Sequence, residues 1–472
     1  MYSSFFRAFA WVRVEELERS TLFRIDDAVS TDGASAKERN EAVGVVDPFS
    51  TGAIMASMLS EQGYKVIALY SANLEQLGNL QSLVPAGLKL TFDAVMGYTD
   101  VPSMLKTLQG MQWPVVAIIA GAETGVELAD MLSERMGLTS NGTALSEARR
   151  NKYVMGETVR AAGIRAVKQL RASTWGEIEA FLADWNPDPF KVIVKPLDSA
   201  GSDDVTLCLS KNEVQAAFEH ITGKKNGLGL QNKAVLVQEF LEGQEYVVDT
   251  FSLDSEHKVA ALWAYDRRPA NGAHFVVHGQ RLLTADDEHC EALIAYVKRV
   301  KTALGIRNGP SHAEIKWHQN EPVLVEIGAR CHGAEGSWVE ICQEVYGLNQ
   351  AACALKCFLD PAGFKEMPPA PHQRFGYGRV LFIVVNTCGV LEEINPAYTK
   401  EILAMESVKD MEYFRKHGQT VIKSIDCFSL GGIVKMFNKD LQQLTADYNR
   451  IRVMESEGIV EGTTGTIWFQ CK

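Results

Sequence analysis

The sequence predicts a mixed α/β (α+β) fold, with an amino-terminal doubly wound parallel sheet and a carboxy-terminal lid-like α+β region. Three observations carry this expectation. Short apolar runs alternate with helical periodicity from 42 to 136, the pattern of parallel strands covered by helices. A series of strand-like runs follows, VIVKP, AVLVQEF and KVAALWAY, separated by loops rich in glycine, serine and acid. Residues 311–333, SHAEIKWHQNEPVLVEIGARCHG, then read as a hairpin whose two strands each carry a glutamate, Glu314 and Glu326.

Composition narrows the class. The chain has 472 residues, 46% of them hydrophobic and 22% charged, enough for two to four domains with substantial cores. A net charge of −12 argues against nucleic-acid and anionic-membrane partners, which need a basic surface. No run reaches the ~18 apolar residues of a membrane span. The nine cysteines form no C-x-x-C pair, which suits reduced thiols and a cytoplasmic location. Cys331 lies inside the hairpin motif and reads as a small residue near a loop. Arg7 interrupts the apolar start MYSSFFRAFAWVRVEELER, against a secretory signal; an organelle presequence stays as the alternative.

Taken in order, residues 1–41 end in STDGASAKERNE and read as a poorly ordered extension. AVGVVDP (42–48) is a strand, 50–64 a helix and KVIALYS (65–71) a second strand. WPVVAIIAG (113–121) is another buried strand, and a helix follows over about 123–136. DPFSTG (47–52) sits where a dinucleotide fingerprint would, without its glycines. Its hydroxyls suit helix capping or an anion. A helical stretch over 145–165 leads into FKVIVKPLDSAGSDDV (190–205), a strand, loop and strand. Two strands broken by LEGQ span 233–253, a further strand spans 258–269, and a helix covers 286–304. PPAP (368–371) marks a linker, and 372–472 mixes strands, among them YGRVLFIVV, GGIVKMF and GTIWFQ, with a helix near 440–456.

The hairpin poses the chemical question. If residue 320 is its tip, Glu314 and Glu326 face each other about 5 Å apart at Cβ. At an effective dielectric of ~20 they repel by roughly 3 kcal/mol. Some neutraliser is required, and a hard divalent cation such as Mg²⁺ suits carboxylate oxygens. Lys195, at the end of an apolar strand beside Ser199, Gly201 and Ser202, offers a point charge and backbone donors to a polyphosphate. The plainer reading is a lysine at a strand end. Lys152 is a second candidate cation, or a surface helix lysine. Gln238, the backbone of Glu239 and Leu241, and the Glu245 carboxylate can meet adenine and ribose, or belong to an ordinary solvated hairpin. Arg330 shares the strand face of Glu326 and Gly328 and can stabilise charge on a transferring phosphoryl group, or simply pair with a buried glutamate.

The order of these features resembles the ATP-grasp superfamily over about 150–335. Within it, GPSHAEIKW (309–317) and VEIGARCHG (325–333) are similar to L-amino-acid ligases of the bacilysin-synthetase and carnosine-synthase type. The resemblance implies an ATP-grasp fold: a pre-ATP-grasp unit over 42–140, an ATP-grasp domain over 141–367 with a small lid at about 165–240, and a carboxy-terminal α+β domain over 372–472. It implies Lys152 and Lys195 on the α- and β-phosphates, and the 199–204 loop over the β/γ-phosphates. Gln238, Glu239 and Leu241 would meet adenine, Glu245 the ribose, and Glu314 and Glu326 would hold two Mg²⁺ (or Mn²⁺) ions. Arg330 is the implied catalytic group. Gly328 stands where the family carries asparagine, so one metal contact is lost and water replaces it. His274, His278, His312 and Arg268 are candidates for the substrate pocket; Arg267, Glu335, Trp338 and Glu340 are further ones. The implied reaction joins a small-molecule carboxylate to an amine, an amino acid, through an acylphosphate. A homodimer is compatible with it. A bicarbonate-using carboxylase, here without an AMKM-like biotin segment, and a non-catalytic ATP-binding module are the other readings.

Overall fold

The computed structural model describes residues 38–72, 88, 90–197, 204–226, 231–284, 286–457 and 469–471. Most of the expected extension over 1–41 lies outside the described residues. So do Ser199, Gly201 and Ser202, and most of GTIWFQ.

Strands β1 (Ala42–Val46), β2 (Lys65–Leu69), β3 (Ala94–Met96) and β4 (Val115–Ala120) form a parallel sheet in the order β3-β2-β1-β4. Their apolar runs are covered on both faces; β1 is buried along its whole length, as a parallel strand between helices should be. The helices Thr51–Glu61 and Val126–Arg135 flank it. The Ser50 and Thr51 hydroxyls do not cap the first of these helices. Ser50 Oγ instead accepts from the Glu335 N–H at 2.9 Å, and Thr51 Oγ1 donates to His332 O at 2.6 Å. The DPFSTG turn therefore ties the parallel sheet to the loop that follows the acidic hairpin, a correction to the capping expectation.

Four antiparallel-paired strands follow: β5 (Gln169–Ala172), β6 (Val192–Pro196), β7 (Thr206–Cys208) and β8 (Val235–Glu239), in the order β5-β8-β6-β7. Helices Trp175–Trp185 and Lys211–Ile221 cover one side of this sheet, burying Ile178, Leu182, Val214 and Ile221 against Val192, Val194, Val235 and Val237. Both helices start at a capping hydroxyl, Thr174 and Ser210. On the opposite side of the sheet Lys195 is left facing away from that core.

The largest sheet is built from β9 (Glu245–Leu253), β10 (Glu256–Ala270), β11 (Ala273–Leu283), β12 (Gly309–His318), β13 (Glu321–Gly328) and β14 (Tyr377–Ile383). After β15 (Gly389–Ile394) it is completed by β16 (Val408–Tyr413) and, beyond β17 (Thr420–Val421), by β18 (Gly432–Asn438), in the order β13-β12-β9-β10-β11-β14-β18-β16. Strands β17, β15 and β19 (Phe469–Cys471) make a small separate sheet. One core cluster runs from Val43 of the parallel sheet and Met55 of the helix Thr51–Glu61 through Trp338 and Val345 to Phe437, so the first and last parts of the chain share buried surface. Among the described residues no helix is long and apolar enough to cross a membrane.

Candidate active site

The acidic hairpin pairs as its sequence implies at the site end: Glu314 stands opposite Glu326, Ala313 opposite Ile327 and His312 opposite Gly328. Toward the tip the register slips at a bulge, and Ile315 pairs with Leu324. The turn is therefore the two residues Gln319 and Asn320, both at positive φ (49° and 65°), rather than one central residue 320.

The two carboxylates are neutralised by protein cations. Lys152, the first residue of the helix Lys152–Ala161, puts Nζ 2.8 Å from Glu326 Oε2. Asn151 sets that start, because its side chain accepts from the Tyr153 and Val154 N–H groups. Arg267 Nη2 lies 3.8 Å from Glu314 Oε2, and His312 Nε2 lies 3.4 Å from Glu314 Oε1. Burial alone would raise the Glu314 pKa, but His312 and Arg267 outweigh it and hold the carboxyl at about 2. The need for a neutraliser inferred from the hairpin is thus met first by side chains.

Behind this pair lies a buried relay. Asp249 accepts from His312 Nδ1 at 2.8 Å, from His332 Nδ1 at 3.0 Å and from Trp263 Nε1 at 2.9 Å. Burial disfavours charge on His312, yet the Asp249 and Glu314 carboxylates reverse this and lift its pKa to about 9. His312 is therefore an imidazolium at neutral pH, donating to both acids. His332, buried beside that charge, has its pKa lowered. Asp249, His312 and His332 are ligand types for a metal, but here both Asp249 oxygens already accept from the Nδ1 atoms of the two histidines.

Lys195 is 8% exposed and has no carboxylate within 4.0 Å among the described residues. Burial, and after it the like charge of Lys152, lower its pKa to about 8. A buried, unpaired ammonium is unfavourable until an anion arrives. Gln238 is buried and donates from Nε2 to Gln169 Oε1 at 2.9 Å. The Glu239 N–H is taken by Lys168 O at 2.9 Å and its carboxylate by Arg165 at 2.7 Å, so its N–H is not available to a base. Leu241 is buried beside Val167 and Val323. Glu245 is held by Arg267 Nε at 2.7 Å and Lys316 Nζ at 3.4 Å, which places it one cation away from Glu314.

Other predicted residues fall elsewhere. Neighbouring strand residues point to opposite faces, and it is Arg267 that turns toward the acids. Arg268 is exposed and pairs with Asp266 at 2.7 Å, and Asp266 in turn meets Tyr448 of the helix Leu441–Glu457. His278 bonds its own strand at Val276 O, 3.1 Å, and its carbonyl accepts from Arg452 of the same helix. Neither Arg268 nor His278 is brought to the acids. His274 is exposed near the β10–β11 turn, with Phe275 as its ring neighbour. Trp338 is fully buried and donates to His332 O and Gly333 O, and Glu340 pairs with Lys435 at 3.2 Å.

Arg330 joins the acids' side of the hairpin. Its Nε lies 2.9 Å from Glu123 Oε2 and its Nη1 donates to Cys331 O at 3.0 Å. Glu123, Arg150, Asp249 and His332 escaped the sequence reading. Asp249, a charge inside the apolar strand YVVDTFSL, and His332, within the quoted ARCHG, carried a visible signal; Glu123 and Arg150 carried none.

The donor set fits a hard cation: two facing carboxylates, Glu314 ionised by its surroundings, with cationic side chains that a metal ion can replace as their counter-charge.

Residues 188–337 match the family described as "ATP-grasp domain". The chain is 29% identical over 428 residues to dapdiamide A synthase of Enterobacter agglomerans, across 90% of this chain and 98% of that protein. It is 26% identical over 246 residues to alanine–anticapsin ligase of Bacillus subtilis (strain 168), across 48% of this chain and 50% of that one. Among solved structures, an L-amino acid ligase from Bacillus licheniformis superposes with a TM-score of 0.67 at 18% identity, over 88% of this chain and 98% of that one, a likeness of fold.

Proposed function

Because this chain carries an ATP-grasp domain, we propose that it is an ATP-dependent ligase that joins the carboxylate of one small molecule to the amine of an amino acid, forming a dipeptide-like amide. The observation that carries this is the gathering of Lys152, Lys195, Glu314, Glu326 and Arg330 around one end of the acidic hairpin. The likeness to dapdiamide A synthase over nearly the whole of both chains supports it. On this reading 42–140 is the pre-ATP-grasp unit, 141–367 the ATP-grasp domain with its lid at about 165–240, and 372–472 the closing domain. The cytoplasm is the proposed setting, on the free thiols of all nine cysteines.

Glu314 and Glu326 would hold Mg²⁺, whose charge, when it is bound, neutralises the phosphates of ATP. Lys195 and Lys152 bind the α- and β-phosphates; Lys152 leaves Glu326 to do so. The 199–204 loop covers the terminal phosphates, Leu241 and Gln238 border adenine, and Glu245 takes a ribose hydroxyl. The substrate carboxylate attacks the γ-phosphate, giving ADP and an acylphosphate, and the amine then displaces phosphate. Arg330 faces the charge that builds in both steps. No nucleophilic side chain is needed, because alignment, charge neutralisation and exclusion of water supply the rate.

Phosphate release from ATP and Mg²⁺ is the test, run with single and paired amino acids and with bicarbonate. Release that requires particular pairs, with a condensed product mass, is expected, and Glu326→Gln should abolish it. Release driven by bicarbonate alone, ATP binding without turnover, or near-normal turnover in the Glu326→Gln variant would reject the assignment.

A further inference from the structure

Gly328 leaves a space on the acids' side of the hairpin, and that space is filled from a distant part of the chain. A Cβ built on Gly328 would stand 2.5 Å from Glu123 Oε2, 3.1 Å from Arg330 Cζ and 3.2 Å from its Nε. Glu123 belongs to a short turn after β4, in the parallel-sheet unit. Glycines press that turn against the end of β1. A Cβ at Gly121 would meet Asp47 O at 2.6 Å, and one at Gly125 would meet Val46 O at 2.6 Å. Thr124 Oγ1 also donates to Asp47 Oδ2. The backbone that presents Glu123 is therefore fixed.

The carboxylate it presents lies between two guanidinium groups. Oε1 accepts from Arg150 Nη1 at 2.6 Å, while Oε2 is 2.9 Å from Arg330 Nε. Oε2 is shielded from water and receives no well-directed hydrogen bond, so its contact with Arg330 is one of charge. Arg330 is thus held at two points, Glu123 and Cys331 O, leaving Nη2 without a partner among the described residues. Without Glu123, the arginine would share the cleft with Arg150 and Lys152, like charges that repel it.

Resting on the ligase reading, we propose that Glu123 is a positioning residue for the reaction: it enters over Gly328 and holds the Arg330 guanidinium beside the two hairpin acids. Glycine at 328 and glutamate at 123 act as a matched pair, because any side chain at 328 must evict the Glu123 carboxylate.

Two measurements test this, one of them independent of turnover. Phenylglyoxal labelling of Arg330 in the ligand-free protein, followed by peptide mass spectrometry, should be several-fold faster in Glu123→Ala and in Gly328→Ala than in the wild type. In phosphate release with the productive amino-acid pair, each variant should lower kcat by about 10- to 100-fold while KM for ATP stays within about twofold. The double variant should be no slower than either single one, and Glu123→Gln should fall with Glu123→Ala. Unchanged labelling, additive losses in kcat, or a loss confined to KM would overturn the proposal. If the wild type shows no amino-acid-dependent release, the ligase reading falls, and labelling alone decides whether Glu123 holds Arg330.

Discussion

Lys195 shows how a single residue in this cleft is prepared for its ligand. The strand that carries it is buried at every position, and its ammonium points where no carboxylate is close enough to pair. Burial and the neighbouring Lys152 charge bring its pKa to about 8, below the ~10.4 of a lysine in an unfolded chain. The folded state therefore holds fewer protons than the unfolded one between these values, so stability rises with pH across that window, and the full cost of the charge is borne below pH 8. That cost is about 3 kcal/mol. Lys195→Met should raise the denaturation midpoint of the ligand-free protein at pH 7, and the gain should shrink by pH 9.5. The same variant should bind ATP about 10- to 100-fold more weakly. A variant less stable at pH 7, or one with unchanged nucleotide affinity by calorimetry, would refute this account. Glu314 makes the complementary case, an acid kept ionised by His312 and Arg267.

At the scale of the element, the β12–β13 hairpin was legible in part. A period of two and a polar turn were enough to show a hairpin with an acid in each strand, but the tip assumed at 320 places Glu314 opposite Glu326 only because the bulge offsets it. Counting from the observed turn, Gln319 and Asn320, would set Glu314 against Val325. The bulge was not legible: nothing local to VLVEI marks which residue is left over, since β9 on the far side of β12 and the core beneath both help to set it. The same limit separates Arg267 from Arg268, adjacent residues on a strand whose facing depends on irregular pairing with β11. The turn itself makes a prediction. Asn320 has φ 65°, a conformation that asparagine and glycine accept and β-branched residues resist. Asn320→Val should lower stability by about 1–2 kcal/mol in urea denaturation, and Asn320→Gly should leave it nearly unchanged; equal losses would count against the turn geometry.

Over the whole molecule, the dipeptide Arg149-Arg150 divides its labour. Arg150 faces Glu123 in the cleft, while Arg149 is fully buried between two units of the fold. Arg149 Nη2 meets Asp130 Oδ2 at 2.8 Å on the helix Val126–Arg135, and its Nη1 donates to Leu304 O at 3.1 Å, just past the helix Cys290–Ala303. Burial raises the Asp130 pKa, and Arg149 is the first of the groups that oppose this. Removing one partner of such a pair leaves the other buried and unmatched. Arg149→Met should cost about 3–5 kcal/mol in chemical denaturation. A loss under about 1 kcal/mol would mean that the bond does not join the two units.

By itself the sequence determined the strand–helix order, the parallel amino-terminal sheet, the hairpin with an acid in each strand and the lysines available to meet an anion. All of these follow from local periodicity, from turn residues and from the charge each side chain carries. Only the tertiary structure decided which cation answers which acid. Arg267 rather than Arg268 reaches Glu314, Lys152 covers Glu326, and Glu123, from the far side of the chain, occupies the space above Gly328. Coulomb energy depends on distance through space, and that distance is fixed by packing between elements remote in the chain, which no local pattern encodes.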